Sequence, residues 1–164
     1  MKETFHGGDL RSPSDQGVPL RCRRPPGISN DALRCVIRLR DEARKYGLLG
    51  VEVLDAMPIE QLVADYNGIG PASFPPTIRD AINALVPDLR CVALIHDVRW
   101  AHSDGSVEQF KASNDEFAAN GARVAGKLHK WHPLRRVRLK GVARIFANLC
   151  SGAEGWNAYL AARR

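Results

Sequence analysis

Leu89-Arg90-Cys91-Val92-Ala93-Leu94-Ile95-His96-Asp97-Val98-Arg99-Trp100 is the stretch whose reading decides the fold. Residues 88–102 read as one apolar helix, with Leu89, Val92, Ala93, Leu94 and Ile95 ahead of His96, Asp97 and Trp100. Burying a His-Asp pair there costs several kcal/mol unless partners satisfy both groups. Neighbouring side chains point about 100° apart around a helix, so one cleft can use both for different tasks. Imidazole suits a general base near neutral pH, and a carboxylate suits a hard cation. A His-Asp dipeptide also arises by chance on a solvated helix end.

The turn Ser103-Asp104-Gly105-Ser106 favours a second helix packed antiparallel to the first. That helix runs from Val107 to about His129, bent at Gly121, with Val107, Phe110, Phe117 and Val124 as its apolar stripe. Phe110, Asn114, Phe117 and Gly121 share one narrow sector, and Asp115 lies off it. Asn114 is therefore the polar residue on the buried face, and a buried amide needs partners. His96 is one candidate; a core backbone group is the other.

Further out the chain is also helical. Ser29-Asn30-Asp31 caps a helix to Tyr46 that Gly47 stops. Residues 51–65 read as a short helix opened by Pro58, with Ile59, Leu62 and Val63 inward. Short helices follow over Thr77 to Leu85, after Pro133 (Val142, Ile145, Phe146, Leu149), and around Trp156, Tyr159 and Leu160. The fold class is mainly α: a single small helical domain over 29–164, in which two packed antiparallel helices carry the site. Residues 1–28, rich in Gly, Pro, Ser and Arg, read as a flexible basic arm.

With 164 residues, 45% of them apolar, the chain has enough for one ordinary core. No apolar run reaches the roughly 18 residues of a membrane span, and Met1 to Leu10 does not form a secretory signal. The expected location is cytoplasmic, or virion-associated. Cys22, Cys35, Cys91 and Cys150 are scattered without zinc spacing; the last three sit beside apolar residues and read as reduced, buried side chains. The net charge is +6, and no acidic residue falls between Glu116 and Glu154. Arg123, Lys127, Lys130, Arg135, Arg136, Arg138, Lys140 and Arg144 fill that interval and suit a polyanion, either nucleic acid or anionic lipid. A solvated basic face without a partner accounts for them equally well.

One loop adds to the His-Asp pair. Tyr66-Asn67-Gly68-Ile69-Gly70 has the form YxGxG, and two alternate glycines let a backbone turn tightly and aim carbonyl oxygens inward. Such oxygens suit Ca²⁺, although a glycine pair also serves as a plain turn.

Together, the YxGxG loop, His96-Asp97-Val98-Arg99-Trp100 and Asn114-Asp115-Glu116-Phe117 resemble the phospholipase A2 family over roughly residues 65 to 120. The likeness is to its viral, disulfide-free branch found in parvovirus capsid proteins, which carries YxGxG, then HDxxY, then D-x-x-F. Similar sequences are expected among phage and prophage proteins. The resemblance implies a calcium-dependent hydrolase of the sn-2 ester of glycerophospholipids. His96 would deprotonate the attacking water, and Asp97 with the carbonyls of Tyr66, Gly68 and Gly70 would hold Ca²⁺. Trp100 stands where the family has Tyr, and Asn114 where it has the aspartate that orients the histidine. An amide accepts a hydrogen bond from His96 but brings no charge to an imidazolium. The alternative is a catalytically impaired phage structural or accessory module whose basic C-terminal half binds anionic membrane, nucleic acid or protein. A third reading is a metal-dependent phosphohydrolase drawing on His102, His129 and His132.

Overall fold

The computed structural model describes residues 28–70 and 75–163, and all regular structure among them is helical. Eight α-helices follow in order: α1 Asn30–Tyr46, α2 Val51–Ala56, α3 Ile59–Asp65, α4 Pro76–Leu85, α5 Arg90–Ala101, α6 Val107–Leu128, α7 Pro133–Cys150 and α8 Ala153–Ala162. The expected N-terminal arm falls largely outside the described residues, and Cys22 with it.

Local chemistry accounts for most boundaries. The Ser29 hydroxyl accepts from the Ala32 N–H at the start of α1, and Gly47 closes it in the left-handed region at φ 62°. The stretch 51–65, read as one short helix, is two helices separated at Met57-Pro58. Proline cannot donate to the preceding turn and biases Met57 towards extended backbone, so it ends α2 and opens α3.

Helix α5 is central. Cys91 to His96, Val98, Trp100 and Ala101 are all buried, and Arg90, Asp97 and Arg99 are the positions that reach solvent in part. A helix buried around most of its circumference belongs in a core. It contacts α1, α2, α3, α6 and α8. Its main polar partner is α6: His96 meets Asn114, Arg99 meets Glu116 and Trp100 meets Ser113. The ring contacts give the direction: His96 lies against Phe117 and Trp100, one turn on, against Phe110, so the two helices run antiparallel. On α6 the sector Phe110, Asn114, Phe117 and Gly121 is buried, whereas Val107, assigned to the stripe, is 44% exposed because it opens the helix at the rim.

The most extensive helix pair is α6 with α7. Gly121 lies directly against the Ala143 methyl, and a Cβ on Gly121 would overlap it. Over this contact, Leu139, Ala143 and Ala147 face inward from α7. A smaller aromatic cluster of Trp100, Phe110 and Tyr159, flanked by Trp156, fastens α8 to α5 and α6. Cys35, Cys91 and Cys150 are free thiols; Cys91 is buried, and the other two are only half-buried.

Gly121→Ala should lower the unfolding free energy by about 1–3 kcal/mol through overpacking, measured by urea denaturation. An unchanged stability would mean that α6 and α7 are not held this closely.

Candidate active site

The imidazole of His96 sits at the α5–α6 seam, buried between the rings of Trp100 and Phe117 at centroid distances of 4.4 Å and 5.3 Å. Its Nε2 lies 2.9 Å from Asn114 Oδ1. The amide orientation follows from its other end, where Asn114 Nδ2 donates a long bond of 3.5 Å to the Cys150 carbonyl. With Oδ1 facing the ring, Nε2 carries the proton and Nδ1 keeps its lone pair. Burial lowers the His96 pKa to about 4, against the Asn114 hydrogen bond, which raises it. The ring is therefore neutral at pH 7.

Trp100 departs from a tyrosine in its polar contact as well as its shape. Its Nε1 donates to Ser113 Oγ at 2.9 Å, and that hydroxyl donates in turn to the Phe110 carbonyl. The indole lies against Phe110 and Tyr159, so its place in the fold is the aromatic cluster as much as the site.

The neighbouring carboxylate reaches the glycine loop. Asp97 Oδ2 accepts from the Asn67 N–H at 2.8 Å and from the Gly68 N–H at 3.1 Å. Both Gly68 and Gly70 have positive φ, 82° and 114°, so glycine is needed at each. From behind, Asn83 of α4 holds the loop: its Oδ1 accepts from the Ile69 N–H at 3.0 Å, and its Nδ2 donates to the Ile69 carbonyl at 3.4 Å. Tyr66 points elsewhere, its hydroxyl accepting from Arg90 Nε at 3.2 Å.

This arrangement bears on calcium. In a trans peptide the C=O and N–H point in opposite directions. Because the Asn67 N–H points at Asp97, the Tyr66 carbonyl faces away from it. The Asn67 carbonyl, opposite the Gly68 N–H, does the same. Of the three carbonyls expected to hold Ca²⁺, that of Tyr66 therefore points away from Asp97, whereas the Gly68 carbonyl, opposite the Ile69 N–H that faces Asn83, does not share that orientation. Among the described residues, no cluster of three His, Cys, Asp or Glu side chains suits a metal ion, His102, His129 and His132 included.

Asp97 is half-buried, and desolvation raises its pKa to about 8, against the two amide bonds, which favour the anion; the nearby Asp65 charge raises it further. Asp65 itself escaped the sequence reading. It is wholly buried, and its Oδ2 lies 2.8 Å from His102 Nε2 while its Oδ1 accepts from Gln61. That contact ties the end of α3, where the loop begins, to the end of α5. Two other amides were also missed. Asn83 is described above, and the buried Asn120 clamps the Leu49 backbone, accepting at 2.7 Å and donating at 2.9 Å. Asn120 carries one available signal: it is polar and one residue from Gly121 on the buried face of α6.

Two clefts flank the centre. One of about 420 Å³ follows the α5–α6 seam past Arg99, His102, Ser113 and Glu116. Another of about 440 Å³ lies behind the loop, beside Tyr66, Gly68, Asn83 and Arg90. His96 lines neither.

The basic residues differ in their surroundings. Arg123 donates to the Gly47 carbonyl at 2.9 Å and so belongs to the α1 cap. Lys127 is exposed on α6, and Lys130 lies over the Trp131 ring at 5.1 Å. Arg135, Arg138 and Lys140 are exposed on α7, while Arg136 is half-buried. No protein-family model matches the chain, and no curated protein or solved structure matches it. The chemistry of the site therefore rests on its geometry.

The two pKa shifts have opposite consequences for stability. His96, lowered, weakens the fold as pH falls from about 6.5 towards 4; Asp97, raised, weakens it as pH rises from about 4 towards 8. Asp97→Asn keeps an acceptor for the loop amides and removes only the second effect. Between pH 5 and 8 the wild type should lose several degrees of Tm relative to this variant. A flat difference across that range would show that the carboxyl is not enclosed.

Proposed function

We propose that the protein is a phospholipase A2-like hydrolase that cleaves the sn-2 ester of glycerophospholipids with His96 as general base. The reading rests on the resemblance described above, and one geometric observation supports it most: His96 Nε2 lies 2.9 Å from Asn114 Oδ1, which leaves Nδ1 to take a proton from water. The water oxygen attacks the ester carbonyl as Nδ1 takes its proton; the acyl C–O bond then breaks and the leaving lysophospholipid oxygen takes that proton back, while Asn114 holds the ring and its tautomer. Trp100 and Phe117 keep bulk water from the imidazole. No step is drawn through calcium: Asp97 Oδ2 accepts from two loop amides, and the Tyr66 carbonyl points away from it.

The same geometry implies a slow enzyme. Asn114 supplies no charge to the imidazolium formed in the transition state, and burial makes His96 a weak base. These two facts favour the second reading, an accessory module in which the His96 arrangement serves as architecture.

The test is release of labelled sn-2 fatty acid from phospholipid vesicles, with calcium and with chelator. Wild type should exceed His96→Ala in at least one condition. Asn114→Asp should raise turnover by roughly tenfold or more and raise the His96 pKa, since a carboxylate stabilises the imidazolium. The acid limb of the pH–rate profile then moves up from near pH 4 towards neutrality. If wild type, His96→Ala and Asn114→Asp all release nothing above background, the hydrolase reading fails and the module reading stands.

A further inference from the structure

Helix α7 has two apolar faces, and the core explains only one. At about 100° per residue, Leu139, Ala143 and Ala147 share the side that packs on α6. Leu134, Val137, Ile145 and Leu149 centre on the opposite side. Leu134 is 85% exposed, and the other three are between 58% and 66% exposed. Trp131, just ahead of the helix, is 81% exposed. A surface helix in water ordinarily keeps its outer face polar; here only Arg138, Gly141 and Asn148 interrupt the exposed apolar side chains of that sector, which marks a contact surface. From Leu134 to Leu149 the stripe is about 22 Å long.

The charges around the stripe indicate what covers it. Arg135 borders one edge, Lys140 and Arg144 border the other, and Arg138 rises within it. No acidic residue lies anywhere on α7. A second copy would set these cations against their equivalents with no carboxylate between them, which disfavours self-pairing. Duplex DNA would want cations along the centre line, facing phosphates, and would leave the apolar side chains without a counterpart. An anionic bilayer matches both parts: the stripe enters the headgroup–acyl boundary and the flanking cations meet lipid phosphates. Long basic side chains spread outward in this way while their stems stay in apolar surroundings. Trp131, with Lys130 over its ring, suits the same depth.

We infer that the outer face of α7, with Trp131 at its end, is a docking surface for anionic phospholipid membranes, on which the helix lies flat. Among the described residues, no helix is long and apolar enough to cross a membrane. The docking surface is separate from the His96 site, because a surface can hold lipid without hydrolysing it.

Co-sedimentation of the full chain with vesicles tests the inference. Vesicles of phosphatidylcholine and phosphatidylglycerol in equal parts should carry the protein down, and pure phosphatidylcholine should bind it at least tenfold more weakly. The emission of Trp131, isolated as the difference from Trp131→Phe, should shift to the blue on the anionic vesicles. Ile145→Glu with Leu149→Glu should reduce binding at least tenfold, and both sites are exposed enough for the fold to survive, as circular dichroism would verify. Reversing Arg135, Arg138 and Arg144 to Glu should abolish the anionic preference. His96→Ala should bind as wild type, so loss of hydrolysis and loss of docking are read separately. Wild type left in the supernatant with anionic vesicles overturns the inference. Binding that ignores Ile145→Glu/Leu149→Glu and transfers to duplex DNA overturns it in favour of nucleic acid. A dimer in the absence of lipid, broken by the same pair, overturns it in favour of self-association.

Discussion

A helix buried around most of its circumference has to find partners inside the protein for the polar groups it carries. Helix α5 carries His96, Asp97, Arg99 and Trp100, and much of the surrounding structure serves them. From α6 come Asn114 for the imidazole, Ser113 for the indole and Glu116 for the guanidinium. The glycine loop supplies two amides for the carboxylate, and α2 supplies Glu52 as a second partner for Arg99. Each satisfied pair fixes the neighbouring element at a set depth and register. Leaving one buried polar group unpaired costs about 1–3 kcal/mol, a large share of the stability of a small domain. The polar residues of α5 therefore organise the domain as much as its apolar ones do.

The site is also economical in charge. A neutral imidazole needs an acceptor, not a counter-ion, and the Asn114 amide provides one without a second desolvated charge. Asp97 is handled differently, since two N–H donors from a loop distant in sequence converge on one oxygen. The helix side of the loop is the carboxylate, and its far side is the Asn83 amide. Three short polar side chains, Asn83, Asp97 and Asp65, thereby give shape to a segment with almost no apolar anchor apart from the buried Ile69.

Much of this was legible in the sequence, and the gaps follow from physics. Helical periodicity on α6 singles out Asn114 as the inward polar residue and excludes Asp115, because 3.6-residue spacing is set by the backbone alone. The antiparallel hairpin follows from the short turn before Val107. What periodicity does not carry is the rotation of individual peptide planes. Whether the loop turns carbonyls or amides towards Asp97 depends on a few φ/ψ values around Gly68, which glycine leaves free. Pairings across long sequence distances, such as Asp65 with His102 and Asn120 with Leu49, arise only when separate helices have docked. Ile145 and Leu149 were legible as apolar positions of a helix after Pro133, but the pattern alone does not say which face of that helix the core covers.

The contact between Gly121 and Ala143 gives the molecule a mechanical property. With no side chain on one helix and a single methyl on the other, α6 and α7 lie almost backbone to backbone. Rolling or sliding either helix past the other would force the methyl into a peptide group. The pair thus behaves as one stiff plate, with Asn114 towards one end of α6 and the outer face of α7 on its far side. The outer face of α7 is thereby coupled through α6 to Asn114, the residue that holds the His96 ring.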